Sequence, residues 1–172
     1  MQLGMIGLGR MGGNMTKRLE QGGHDVRTYD PGVDSTASTL AELRDQLDAP
    51  RAFWLMVPAG EITETTFQEL LGLAAPGDAI VDGGNSNFRD SQRRHGEAAA
   101  RGVHFVDVGV SGGVWGLEVG YCLMAGGDPE AVESTCGSKV FTSCPAAVSR
   151  FVMFPPIRPR PTIPSCTRDP PI

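Results

Sequence analysis

Apolar positions along the chain switch repeatedly between a strand-like run and a helical spacing. A short apolar run at residues 3–6 gives way to a segment, residues 14–21, in which Met15 and Leu19 fall four apart on one helical face. Gly22-Gly23 then suits a helix C-terminus. Residues 24–29 read as a second strand, and residues 39–47 return to helical spacing through Leu40, Leu43 and Leu47. Residues 52–57 (Ala-Phe-Trp-Leu-Met-Val) are apolar throughout and bounded by Pro50 and Pro58, the pattern of a strand buried on both faces of a parallel sheet. Residues 61–73 place Ile62, Phe67, Leu70 and Leu71 on a helical stripe that stops at Ala75-Pro76-Gly77. A fourth strand follows at 79–81, a charged, alanine-rich helix at 89–101, a fifth strand at 103–110 and a sixth strand at 120–127. Asp128-Pro129-Glu130 opens one more helix, with Asp as N-cap and Pro as first helical residue. The alternation predicts an α/β fold: a doubly wound, mostly parallel sheet with flanking helices.

The first strand runs into Gly7-Leu8-Gly9-Arg10-Met11-Gly12, the phosphate-binding turn of a Rossmann unit. Each glycine has a reason: Gly7 for the tight turn, Gly9 for backbone approach to a pyrophosphate, Gly12 for close helix–strand packing. Free N–H groups and the positive end of the helix dipole then face the phosphates. The second strand ends in Asp30, at the distance from the glycine turn where a carboxylate accepts hydrogen bonds from the adenosine ribose. Asp30 also begins an Asp-Pro-Gly turn. A 2′-phosphate would be repelled by this carboxylate and would want a basic residue just after the strand, yet Pro31, Gly32 and Val33 follow and the next basic residue is Arg44. The expected cofactor is therefore NAD, with NADP disfavoured.

Ligands of doubly wound sheets bind beyond the carboxyl ends of the strands, and the informative residues fall there. The third strand delivers Val57-Pro58-Ala59-Gly60, the fourth Asp82-Gly83-Gly84-Asn85-Ser86, and the fifth Ser111-Gly112-Gly113. Asn85 can donate and accept hydrogen bonds, and Ser111 with the N–H groups of Gly112 and Gly113 can form an anion-binding nest.

Composition narrows the classes. A length of 172 residues suits one domain, and a net charge of −5 without a basic cluster argues against nucleic acid as a partner. No basic, apolar leader opens the chain and no apolar run is long enough for a bilayer, so the expectation is a cytoplasmic protein without a membrane partner. Cys122 falls in a strand, and Cys136, Cys144 and Cys166 lack metal-ligand spacing; neither a disulfide framework nor a metal site is expected.

These residues resemble the decarboxylating 6-phosphogluconate dehydrogenases of the β-hydroxyacid dehydrogenase superfamily. The matching stretches are Gly7 to Gly12, Met56 to Gly60, Asp82 to Ser86, and Asp107-Val108-Gly109-Val110-Ser111-Gly112-Gly113-Val114-Trp115-Gly116-Leu117-Glu118. The Trp-Gly-Leu-Glu continuation separates this group from its relatives that oxidise hydroxyisobutyrate, the nearer alternative; a non-catalytic NAD-binding module is the other. The resemblance implies an NAD-preferring enzyme that oxidises C3 of 6-phosphogluconate and releases the C1 carboxylate to give ribulose 5-phosphate. By resemblance, Gly7, Leu8, Gly9, Arg10, Met11, Gly12, Asp30, Val57, Pro58 and Ala59 line the dinucleotide. Asn85 contacts nicotinamide and substrate, and Ser111, Gly112 and Gly113 hold the substrate carboxylate.

The resemblance covers residues 1–133, read as the dinucleotide-binding domain. Eight of the thirteen prolines fall between Pro145 and Pro171, so residues 134–172 are expected to be an irregular tail. The family would continue there with a lysine and a His-Asn-Gly-Ile-Glu-Tyr run, the source of its general base and acid, and then an all-helical domain that carries the dimer contacts. None of these is present. The abrupt change favours a frame-shifted or mispredicted end over a genuine regulatory extension, and predicts an inactive, truncated form of a homo-oligomeric enzyme.

Overall fold

The computed structural model describes residues 1–136, 140–142 and 149–153. Five strands, β1 (Gln2–Ile6), β2 (Asp25–Tyr29), β3 (Ala52–Leu55), β4 (Ala79–Asp82) and β5 (His104–Ser111), run parallel in the order β2-β1-β3-β4-β5. β2 pairs on one side of β1 and β3 on the other. At such a reversal the two connections leave in opposite directions, which opens a crevice beyond the strands' carboxyl ends.

The helices are α1 (Arg10–Gln21), α2 (Leu40–Asp45), α3 (Glu61–Leu73), α4 (Phe88–Ala99), α5 (Gly116–Val119) and α6 (Pro129–Cys136). Because side chains alternate along a strand, the continuous apolar runs feed two cores. Phe53, Leu55, Ile80 and Phe105 pack with Leu43, Phe67, Leu70 and Ala98 of α2, α3 and α4. Trp54, Val81, Val106 and Val108 face the other side, with Met15 and Leu19 of α1 and Val132 of α6. The rings of Phe67 and Phe105 meet edge to face at 5.6 Å. The buried face of α3 runs through Thr63, Phe67, Leu70 and Leu71, at spacings of four, seven and eight. Ile62, one residue and about 100° off that stripe, is 54 % exposed rather than in the core.

β6 (Cys122–Gly127) joins the sheet antiparallel to β5, with Cys122 opposite Ser111. Only residues 112–121 connect the two strands. A parallel neighbour needs a crossover of roughly a dozen residues or more, so the chain turns back instead. The connection folds as a 3-10 turn (Gly113–Trp115) and the single turn of α5. It stays tight because the Tyr121 ring rests directly on Gly116, where a Cβ would overlap it.

The expected boundary at residue 133 lies inside α6, which continues to Cys136. Within the stretch expected to be irregular, β7 (Val140–Thr142) and β8 (Ser149–Met153) extend the sheet in the order β6-β8-β7. Neither segment contains proline, so both can pair along the edge that β6 leaves open. The rest of that expectation, including Cys144, Cys166 and the dense prolines, lies outside the described residues. Among the described residues no helix is long and apolar enough to cross a membrane.

Candidate functional site

The glycine turn is built by contacts that exclude side chains. Gly7 has φ +90°, its N–H donates to the Tyr29 carbonyl at 2.9 Å, and a Cβ there would lie 2.7 Å from the Met56 carbonyl oxygen. A Cβ on Gly12 would overlap the Gly7 carbonyl oxygen. Gly9, the N-cap of α1, has open space where its Cβ would stand. No side chain caps α1 and no acidic residue occupies its first turn. Its N–H groups are thereby left for an anion, at the positive end of the dipole. These features fit a dinucleotide pyrophosphate.

Asp30 is tied to this turn. Its Oδ2 accepts from the Leu8 N–H at 2.7 Å and its Oδ1 from the Gly32 N–H at 2.8 Å. The second bond is the Asp-Pro-Gly turn, and Asp30 lines the cleft at the same time. Each carboxylate oxygen keeps a lone pair for a further donor.

The loop after β4 is equally fixed. The Asp82 carboxylate, 1 % exposed, accepts from the Gly84 N–H at 2.9 Å and the Ser86 hydroxyl at 2.7 Å. Between them Asn85 adopts φ +59°, the one positive φ outside glycine among the described residues. Arg94 of α4, 2 % exposed, donates from Nη1 to Asp82 at 3.0 Å and from Nε to Glu64 of α3 at 3.0 Å. Arg93 grips both oxygens of the same Glu64, at 2.6 and 3.0 Å. Across the β4–β5 register from Asp82, burial pushes the Asp107 carboxyl up, opposed by a hydrogen bond from Ser91.

The Arg93 guanidinium holds the Glu64 carboxyl down at about 2, against an ordinary value of 4.5. Its folded pKa lies below the unfolded one, so this contribution to stability is complete above about pH 4.5 and is lost as pH falls through about 2. Urea midpoints measured between those pH values are expected to fall, and to fall less steeply in Arg93→Gln.

A cleft of about 710 Å³ opens beyond the carboxyl ends of β1 and β3. It brings together Gly7, Gly9, Arg10, Met11, Gly12, Asp30, Val57, Pro58 and Asn85. Leu8 reaches it only through its bond to Asp30, and Ala59 sits exposed in the turn before α3. Ser111, Gly112 and Gly113 do not line the cleft, whose wall on that side ends at Val110; they lie exposed one step beyond it. Asn85 also borders a second groove, about 880 Å³, between α4 and the β5–β6 pair. Sequence reasoning missed Ile62, Thr66 and Glu69, the cleft-facing side of α3. Their spacing of four and three was the available signal. Arg94 was read only as part of a charged helix. Among the described residues, no group of three His, Cys, Asp or Glu side chains could hold a metal ion.

Comparison with known proteins agrees with this geometry. Residues 2–150 match the family model described as the NAD binding domain of 6-phosphogluconate dehydrogenase. An NAD(+)-dependent, decarboxylating 6-phosphogluconate dehydrogenase from Haloferax volcanii is 40% identical over 137 residues, 74% of this chain and 45% of that protein. The chain spans less than half the length of the curated relatives it matches. A 6-phosphogluconate dehydrogenase structure from Plasmodium falciparum, solved apo, with its cofactor NADP+ and with its substrate, superposes with a TM-score of 0.72. It is 28% identical, over 77% of this chain and 32% of that one. A 3-hydroxyisobutyrate dehydrogenase from Mycobacterium tuberculosis follows with a TM-score of 0.64 and 26% identity, over 77% and 48%. With its glycine turn, Asp30 and Asn85 loop around one cleft, the chain belongs to the family of the NAD-binding domain of 6-phosphogluconate dehydrogenase.

Proposed function

We propose that this chain is the cofactor-binding part of a decarboxylating 6-phosphogluconate dehydrogenase that prefers NAD. The observation that carries the proposal is the single cleft lined by an uncapped helix N-terminus, the Asp30 carboxylate and Asn85. The first-turn N–H groups of α1 would hold the pyrophosphate, and the remaining lone pairs of Asp30 would accept the ribose hydroxyls. The negative charge of Asp30, with no basic side chain in residues 31–33, disfavours a 2′-phosphate. The NAD(+) dependence named for the Haloferax relative supports this preference. Val57, Pro58 and Ala59 would lie along the dinucleotide, Asn85 would reach nicotinamide and substrate, and Ser111, Gly112 and Gly113 would hold the substrate carboxylate. When bound, the nicotinamide ring supplies the hydride acceptor for C3 of 6-phosphogluconate. The resulting β-keto acid loses C1 as carbon dioxide, giving ribulose 5-phosphate.

Calorimetric titration with NAD and NADP tests the reading. NAD is expected to bind more tightly; heat from neither, on folded protein, would refute cofactor binding, and tighter NADP binding would refute the role given to Asp30. Asp30→Ala is expected to weaken NAD by about 1 to 3 kcal/mol, the scale of a lost buried partner.

The same proposal assigns this chain binding without turnover. Of its two lysines, Lys17 lies exposed on α1 away from the cleft, and Lys139 is outside the described residues. General base and general acid each contribute roughly 10²- to 10⁴-fold, so if the chain brings neither to the substrate, 6-phosphogluconate and NAD are expected to give no NADH absorbance above background. Measurable turnover of 6-phosphogluconate would overturn that part. Turnover of hydroxyisobutyrate would instead favour the alternative suggested by the Mycobacterium tuberculosis structure.

A further inference from the structure

On the reading that Asn85 meets the nicotinamide, we propose that Arg94 is the positioning residue that sets the nicotinamide end of the site. Gly83, Gly84 and Asn85 line the cofactor cleft, whereas Asp82, Arg94 and Glu64 do not. Arg94 therefore acts on a ligand only through the loop it holds. Its Nη1 donates at once to Asp82 Oδ2 (3.0 Å) and to Ser86 Oγ (3.2 Å). Those two acceptors flank Asn85, and Asp82 also receives the Gly84 N–H, so residues 84 and 86 are pinned while the residue between them is held in the left-handed region. Asparagine enters that region more readily than most side chains, but an unconstrained loop would leave it.

The other edge of the Arg94 guanidinium fixes the clamp to the far wall of the cleft. Nε donates to Glu64 on α3, the helix that follows the Val57 to Gly60 turn, and the guanidinium carbon lies 5.9 Å from the centroid of the Phe67 ring on the same helix. Gly84 seats the loop against that wall, since a Cβ there would come within 2.6 Å of the Val57 carbonyl oxygen. A planar fork is needed to reach Asp82 and Ser86 from one nitrogen and Glu64 from another; a lysine ammonium is a single point and cannot bridge both sides. The adenosine end, held by the glycine turn and Asp30, shares none of these bonds.

Saturation-transfer NMR of NAD on the full chain separates the two ends. In the unaltered chain, nicotinamide and adenine protons are both expected to receive saturation. In Arg94→Lys and in the milder Ser86→Ala, which leaves the Arg94–Asp82 pair in place, adenine saturation should persist while nicotinamide saturation falls by roughly half or more. Equal losses at both ends would make Arg94 a purely structural residue and overturn the inference. Undiminished nicotinamide saturation in both variants would overturn it while sparing the reading of Asn85. A nicotinamide ring unsaturated in the unaltered chain, with adenine saturated, would overturn both.

Discussion

Gly12→Ala is expected to abolish dinucleotide binding and to destabilise the fold, whereas Gly9→Ala should weaken binding at least tenfold and leave the fold as stable as before. The two glycines stand three residues apart in one turn and fail for different reasons. A Cβ at Gly12 would overlap the Gly7 carbonyl oxygen and crowd Met56, so α1 must move off β1 and β3. Forcing extra volume into packed backbone costs about 1 to 3 kcal/mol, and the upper end applies here because the obstructing atom is main chain. At Gly9 the Cβ meets nothing within 4 Å of the protein, but it stands where a pyrophosphate would approach the N–H groups. Gly9→Ala should therefore unfold at the temperature of the unaltered chain while losing at least tenfold in NAD affinity, about 1.4 kcal/mol. Thermal melts beside calorimetry distinguish the two. A Gly12→Ala chain with unchanged melting and unchanged affinity would contradict the packing described for the turn.

Arg94→Met is the second large effect, an expected loss of about 3 to 5 kcal/mol of stability. Arg94 and Asp82 are 2 % and 1 % exposed, so the side chain left behind is a carboxylate buried without its charge partner. Against a typical domain stability of about 5 to 15 kcal/mol, that is a large fraction of the whole. Replacing both residues, as Asp82→Leu with Arg94→Met, should cost less than the two single changes added together, because neither charge is then stranded. Urea denaturation of the four proteins measures the difference. A strictly additive double variant would mean that the two side chains do not depend on each other.

The elements that line the cleft were the most legible part of the chain, because glycine and strand-end residues are constrained by backbone geometry. Gly7 and Gly12 take the contacts that their spacing foretold, and Asp30 lies beside the turn. Residues 61–73 were read as a helix with the bounds that α3 has. Less legible were features decided by tertiary partners. The bond from Leu8 to Asp30 joins residues 22 apart, and no local pattern announces it. Ile62 belongs by hydropathy to a core stripe, but Thr63 takes the inward position and Ile62 faces the cleft. Arg94 looks like one more charge on a polar helix, and only the converging Asp82, Ser86 and Glu64 bury it. The antiparallel direction of β6 followed from the length of one connection, which strand-by-strand reading does not weigh.

On the proposed role of Asp30 at the ribose, its double engagement limits how this protein could evolve or be redesigned toward a phosphorylated cofactor. Removing the carboxylate to admit a 2′-phosphate also withdraws the acceptor that braces Leu8 in the glycine turn and the one that closes the turn at Gly32. An Asp30→Asn change lifts the charge yet has one carbonyl oxygen for two N–H donors, so one of those backbone bonds is surrendered. If Asp30 sets cofactor preference as proposed, that preference and the shape of the glycine turn are coupled through a single side chain. A switch would need at least a second substitution that restores the lost bond before a basic residue nearby could bring any benefit.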